Sequence, residues 1–259
     1  MPVFEPTREQ VLDFCSLDPL ERVFLEDVAR RGLGQFAATG ERRGELAALC
    51  HVGANLVPSG RGCAAFADAA ARGRSRMIIG EAQAVGELWE AAASRLPAPR
   101  EDRPGQPVYA IAVPPPPGES GLRPARPSDL DRLVPACAAA HELELGIDPL
   151  ARDPESFRWR TLAQIDEGRS WLWVENGVVL FKAEASAWTS SAVQVQQVWA
   201  DPEVRGHGYA RRGMQDLCRL LLETTPLVTL FVRAENTAAI ALYETIGMKR
   251  ALTYRSILF

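Results

Sequence analysis

Apolar residues recur with two periods along this chain, and glycine and proline punctuate them. Thr7 and Gln10 form a capping-box pair, predicting a short helix through Phe14. Asp18 followed by Pro19 is a cap with proline at the first helical position, and the helical run after it stops at Gly32. Alternation predicts strands at 35–39 and 45–51, joined by the turn GERRG. The run GANLVPSGRG reads as a strand end and a glycine loop. Residues 63–72 read as helical, 77–79 as a short buried strand and 81–94 as a helix. The run PAPREDRPGQP interrupts all periodicity, and a strand follows at 108–113. Tandem prolines at 114–117, then GESG, predict an extended interdomain spacer over 114–121.

The second half opens with a strand at 122–125 and a helix capped by Ser128 or Asp129. Two strands at 171–175 and 178–187 flank Asn176-Gly177, the signal of a two-residue hairpin. A strand at 193–200, a glycine loop, a helix at 208–223, a buried strand at 227–233, a helix at 236–246 and a final strand at 253–258 complete it. This order predicts an α/β fold, a mixed sheet flanked by helices, in two tandem domains covering residues 1–113 and 122–259.

The 259 residues suit two compact domains, and at 47% hydrophobic content each can bury an ordinary core. The net charge of −4 is spread along the chain with no basic block, so no nucleic-acid partner is expected. The N-terminal residues show no charged-then-apolar signal pattern, and no run is apolar enough for a bilayer, so a cytoplasmic protein without a membrane partner is expected. Five scattered cysteines without a CxxC pair, and three distant histidines, predict neither disulfides nor a metal site.

Three features of the second half point to chemistry. The loop Arg205-Gly206-His207-Gly208-Tyr209-Ala210 lies between a strand and a helix. Glycines allow close backbone approach, and a helix N-terminus offers unpaired N–H groups to a pyrophosphate; a tight strand-to-helix turn would look the same. In the preceding strand the apolar phase slips: Val193 and Val195 alternate, then Val198 and Ala200 follow one residue out of step around Trp199. Such a slip signals a β-bulge or a strand that ends early. Finally, Asn236 opens a helix on which Ala239 and Tyr243 lie one turn apart, a small residue beside a tyrosine directed back toward the helix start.

Together these pieces resemble the GNAT superfamily of N-acetyltransferases. The family's Arg/Gln-x-x-Gly-x-Gly/Ala loop is matched by Arg205, Gly208 and Ala210. Its second signature is matched by Asn236, Ala239, Leu242, Tyr243, Gly247 and Met248. The resemblance covers roughly residues 122–259. It implies acetyl-CoA as cosubstrate, with no metal, and an amine-bearing acceptor. It implies that N–H groups from Arg205 to Ala210 hold the pyrophosphate. Val198 and Ala200 would pair with the pantetheine arm, and a bulge N–H near Val198 would polarise the thioester carbonyl. The amine would attack directly and Tyr243 would protonate the departing thiolate. For the base, Glu184 is the candidate, as a partly buried strand carboxylate; a strand residue paired with Lys182 is the other reading. His207 occupies a variable loop position and Cys218 mid-helix, so neither is expected to react. The acidic residues of ELELGIDPLARDP (Glu142, Glu144, Asp148 and Asp153) could attract a cationic amine, but read first as a solvated helix end. A non-catalytic acyl-CoA sensor and a small-thiol synthase are the alternative functions, and a homodimer is possible.

Residues 81–90 also line up with 235–244, and PSGRGCA echoes PEVRGHGYA. In that alignment Ala82 stands for Asn236 and Trp89 for Tyr243. The first half then reads as a degenerate domain of the same type, placed to shape the acceptor cleft, with GANLVP as a lining segment.

Overall fold

The computed structural model describes residues 2–42 and 44–259. Residues 8–111 form α1 (Arg8–Ser16), α2 (Pro19–Arg30), β1 (Gln35–Gly40), β2 (Leu46–Val52), β3 (Asn55–Gly60), α3 (Ala67–Arg72), β4 (Met77–Glu81), α4 (Ala82–Ala92) and β5 (Glu101–Ile111). After a short β6 (Leu122–Pro124), the second half forms α5 (Leu130–Leu145), the one-turn α6 (Pro149–Arg152), α7 (Pro154–Asp166), β7 (Ser170–Glu175), β8 (Val178–Trp188), β9 (Val193–Ala200), α8 (Tyr209–Leu222), β10 (Val228–Phe231), α9 (Thr237–Thr245) and β11 (Lys249–Leu258). Apart from β6 and α6, both halves run ααβββαβαβ.

All strands join one 11-stranded mixed sheet, in the order β1-β2-β3-β4-β11-β5-β10-β9-β8-β7-β6. Each half closes with a strand that pairs on the other half's sheet. β5 lies antiparallel to β10, β11 lies antiparallel to β4, and β5 and β11 pair with each other at the centre. Neither half can complete its sheet alone. Arg169 at the start of β7 also makes a buried two-pronged ion pair with Asp27 of α2, at 2.8 and 3.0 Å.

The caps expected from sequence are formed. Thr7 and Gln10 make both capping-box bonds, and Asp18 accepts from the Glu21 N–H. Asn176 and Gly177 both have positive φ, the geometry of a type I′ hairpin turn. Three segments differ from expectation. Within GANLVPSGRG, residues Asn55–Gly60 are a full strand, β3, paired along β2. β5 begins at Glu101, inside the Pro/Gly run. Pro104 and Gly105 form a bulge opposite Arg255, with Gly105 at φ +72°, so the missing proline N–H costs no ladder bond. The region 154–166 is a helix whose start, Asp153-Pro154, repeats the Asp18-Pro19 signature.

Residues 114–121 form neither helix nor strand, yet they are docked rather than free. Asp216 on α8 accepts from the Gly118 N–H at 2.7 Å and from the Ser120 N–H at 2.8 Å and hydroxyl at 2.6 Å. α8 in turn sits close on β8, because a Cβ at Gly213 would come within 2.6 Å of the Phe181 ring. That close approach fixes where the N-terminus of α8 points.

Candidate active site

β9 and β10 are parallel neighbours paired only at Val193/Val228 and Gln194/Thr229. Beyond Gln194 they part, and the β9 edge that faces β10 is left without a strand partner among the described residues. The phase slip seen in sequence is a bulge: Gln197 and Val198 stand opposite the single residue Ala183, and Gln197 has φ +53°. A cavity of about 150 Å³ fills the split, bordered by Val198, Trp199, Arg233, Asn236, Tyr243 and Glu144.

At the mouth of the split, Ala200 leads through a turn at Pro202–Val204 to Arg205, then to Gly206 and Gly208, both at φ +80°. α8 begins at Tyr209. Among the described residues, no oxygen accepts from the N–H groups of Gly206, Gly208, Tyr209, Ala210 or Arg211. Five donors and the positive end of a 14-residue helix make an anion seat. Arg212 lies over the rings of Trp173 and Tyr209 at 4.6 and 4.9 Å, which holds the helix start rigid. His207 is exposed, its ring against the loop carbonyls of Val204 and Arg205, and it stays outside the split.

Asn236 caps α9, its side chain accepting from the Ala239 N–H at 3.2 Å. This places Ala239 and Tyr243 on the face toward the split. Tyr243 is buried, and no group among the described residues hydrogen-bonds its hydroxyl. Burial, helped by Glu144 and Cys218, raises its pKa, so it is held as a proton donor. Burial alone pushes the nearby Cys218 thiol up to about 12.

The expected base, Glu184, sits at the wall of a second cavity of about 310 Å³. Its Oε1 accepts from Lys182 Nζ at 2.6 Å and from Cys137 Sγ at 3.2 Å. Burial disfavours the Lys182 ammonium, but Cys137 and Glu184 beside it hold its pKa above the ordinary lysine value. Glu184 thus both faces a cavity and is engaged by Lys182.

Glu144 is not a solvated helix-end residue. It is half-buried in the last turn of α5 and lines both cavities, accepting from Gln197 Nε2 at 3.0 Å. Its backbone carbonyl holds the guanidinium groups of Arg103 and Arg233. Burial raises the Glu144 pKa against the opposing pull of Arg103 and Arg233. The glutamate periodicity of α5, with Leu143 and Leu145 beside it, hid this residue. Gln106 and Arg103 from β5, Asn55 from β3, and Cys137 and His141 from α5 also border the second cavity and were not foreseen, except Asn55 within GANLVP.

The first half carries the same geometry in altered form. β3 and β4 pair in parallel only at Asn55/Met77 and Leu56/Ile78, as β9 and β10 do. Its glycine loop, however, is already filled: the Glu87 carboxylate accepts from the Gly62 and Cys63 N–H groups at 2.7 and 2.8 Å. Alignment on the helix caps sets Glu81 against Asn236 and the buried Leu88 against Tyr243, one residue off the sequence alignment. Trp89 instead packs on Phe259.

Residues 138–248 match the model of the acetyltransferase (GNAT) family, and residues 35–133 match that of a domain of unknown function (DUF4081). No curated protein matches the chain. Among solved structures, an acetyltransferase from the GNAT family of Colwellia psychrerythraea is similar over 100% of both chains, with 11% identity and a TM-score of 0.61. A GCN5-related N-acetyltransferase from Sphaerobacter thermophilus is similar over 99% of this chain and 94% of its own, with 19% identity and a TM-score of 0.61. A tandem GNAT protein from the clavulanic acid biosynthesis pathway is similar over 98% of both chains, with 12% identity and a TM-score of 0.58. These likenesses show the fold. The chain carries a GNAT-fold acetyltransferase domain, preceded by a domain of unknown function.

Proposed function

We propose that this chain transfers an acetyl group from acetyl-CoA to a primary amine by direct attack, with its acid and base on the C-terminal half. The observation that carries the reading is the split between β9 and β10, with an N–H-rich loop at its mouth and, on its wall, a buried tyrosine whose hydroxyl has no hydrogen-bond partner among the described residues. The loop from Arg205 to Ala210 holds the pyrophosphate, and the free edge of β9 at Val198–Ala200 pairs with the pantetheine amides. The bulge at Gln197–Val198 turns an N–H toward the thioester carbonyl, where negative charge develops. Tyr243 protonates the departing thiolate as the tetrahedral intermediate collapses. Both groups belong to the protein, so no step needs a metal.

Glu144 is the better-placed base. It lies where the cosubstrate split meets the second cavity, its carboxylate has a raised pKa, and only Gln197 engages it. Glu184 is held by a lysine at 2.6 Å and serves better to shape the acceptor wall. Glu144→Gln is expected to lower kcat by about 100-fold. In the parent protein kcat should rise with pH through a value above the ordinary glutamate range, because the base works only when deprotonated. The variant should lack that limb. A pH profile of kcat in which Glu184→Gln removes the limb and Glu144→Gln does not would return the role to Glu184.

The first half, residues 1–113, is a degenerate copy of the same domain, joined through 114–121 to residues 122–259. Its repeated element order and exchanged strand support this. Glu87 occupies the loop that phosphates would need, and Leu88 replaces the acid. What remains is scaffold: β5 completes the catalytic half's sheet, and Asn55, Arg103 and Gln106 wall the acceptor cavity.

A further inference from the structure

We infer that the acceptor is a small amine bearing a phosphate group, and that a groove of four arginines built from both halves of the chain recognises that phosphate. The inference rests on the acetyltransferase reading only for the amine end. Three spaces lie in line. The cosubstrate split shares Gln106, Glu144, Gln196, Gln197 and Phe231 with the second cavity. That cavity opens, past Asn55, His141, Leu145 and Arg160, into an outer groove of about 840 Å³. Along this path the lining shifts from mixed charge, with Arg103 beside Glu144 and Lys182 on Glu184, to predominantly basic. Glu144 and Glu184 stand at the inner end, where an ammonium must arrive and be deprotonated. Arg76, Arg100, Arg152 and Arg160 line the outer groove.

None of these four arginines has an acidic partner within 4 Å among the described residues. The one acidic side chain lining the groove among the described residues, Asp153, is committed to the N-terminus of α7, accepting from the Ser156 N–H at 3.1 Å. Arg100 spends one N–H on the Leu145 carbonyl and Arg160 one on the Ser156 carbonyl, which leaves most of their donors free. In a chain of net charge −4, four unpaired guanidiniums in one groove are a local reversal of sign. A second observation comes from the inner cavity. Arg103 is 8% exposed, lines that cavity and has a buried Nε without a partner, and Gln164 has a buried Oε1 without one. Such groups are ordinarily satisfied, so an occupant with both donors and acceptors suits them.

Guanidinium forks match phosphate oxygens in pairs. A polycationic amine would meet repulsion in the groove, whereas an amine with an anionic tail enters amine first and leaves its tail among the arginines. The inner cavity holds a small molecule rather than a folded surface. Trp159, 69% exposed on the groove wall, offers both a stacking face and an optical reporter.

The first test uses inorganic tripolyphosphate as probe on the full-length protein, read by Trp159 fluorescence with Trp159→Phe as blank. Because the pyrophosphate loop also attracts polyphosphate, it is run in the Gly208→Asp variant as well. Binding that survives Gly208→Asp and weakens about tenfold or more in Arg152→Ala/Arg160→Ala is expected. Acetyl-CoA titrating normally into the arginine variant shows that it is folded. Probe binding lost with Gly208→Asp and untouched by the arginine changes would overturn the groove. The second test compares aminoalkyl phosphates with the matching amino alcohols, and with lysine peptides flanked by aspartates, as acetyl acceptors. A kcat/KM ratio favouring the phosphates by about tenfold or more, and collapsing toward unity in the arginine variant, is expected. Equal use of the alcohols, or preference for the acidic peptides, would overturn it. If acetyl-CoA itself fails to bind while tripolyphosphate still reads the groove, the acetyltransferase reading fails and the anion site stands.

Discussion

Tyr243→Phe is expected to reduce acetyl transfer by about 10²- to 10⁴-fold in kcat while acetyl-CoA binds as tightly as to the parent. The phenol ring is part of the core, packed beside Tyr109 at 6.1 Å between centroids, and phenylalanine preserves that packing. The hydroxyl has no hydrogen-bond partner among the described residues, so its removal strands none of them. Its contribution is confined to the moment a thiolate leaves. Burial raises the Tyr243 pKa, so the phenol keeps its proton until a thiolate forms beside it. Turnover and affinity, measured side by side, separate an enzyme from an acyl-CoA sensor. A sensor would lose neither. A parallel fall in both would place the ring in cosubstrate binding rather than in acid catalysis.

The second large effect concerns the join between halves. Asp27→Ala removes the buried two-pronged partner of Arg169 and leaves it the exposed Glu167, 3.2 Å from its Nε. Losing such charge-assisted bonds costs about 1.5–3 kcal/mol, for a chain of this size a fall in Tm of roughly 5–10 °C. Glu167 is shared with Arg31, at 2.6 Å, so it compensates Arg169 only in part. Because β5 and β11 are exchanged, loosening the contact between α2 and β7 should lower one common transition. Calorimetry that resolves two independent transitions, only one of them shifted, would contradict the single-sheet account.

Local chemistry was legible wherever it is written in neighbouring residues. The caps at Thr7, Asp18 and Asn236 and the Asn176-Gly177 turn each depend on a few adjacent side chains. The bulge in β9 could be read because a one-residue phase slip has only one geometric cause once the strand continues. The start of β5 could not be read in the same way. Pro104 and Gly105 signal a break, and only the partner strand shows that they form a bulge within a longer ladder. The strand exchange was hidden for a related reason. Periodicity specifies that β5 and β11 are strands, but it is silent about which edge each one finds. Helix α7 could have been found from Asp153-Pro154, had the signature used at Asp18-Pro19 been applied twice.

The site divides along the same line. Arg205 and Gly208 lie in one contiguous segment and Asn236, Ala239 and Tyr243 in another, so each group could be picked out within its own segment; Asn236 and Tyr243 border the split. Glu144 belongs to a helix more than fifty residues before the bulge it touches. In sequence it is one of several acids; in space Gln197 reaches it, and Arg103 and Arg233 fix its backbone. Glu184 was legible as a strand carboxylate beside Lys182, and the 2.6 Å contact decides how strongly it is engaged. The two halves share an element order, and their helix caps align one residue away from the repeat expected in sequence. Only the cap positions show Leu88 in the place of Tyr243, and only the fold shows Glu87 filling the first loop.

The central claim is that acetyl-CoA lies in the split between β9 and β10 with its pyrophosphate on the N–H groups from Arg205 to Ala210. Titration calorimetry of acetyl-CoA into the full chain, beside an Arg205→Glu/Gly208→Asp variant, tests it most directly. Gly208 has φ +80°, so aspartate there both strains the loop and sets a negative charge against the phosphates. Saturable binding by the parent, weakened by at least about 100-fold in the variant, is the predicted result. Equal binding by both proteins would place the cosubstrate elsewhere, and no heat from the parent would contradict the acetyltransferase reading itself.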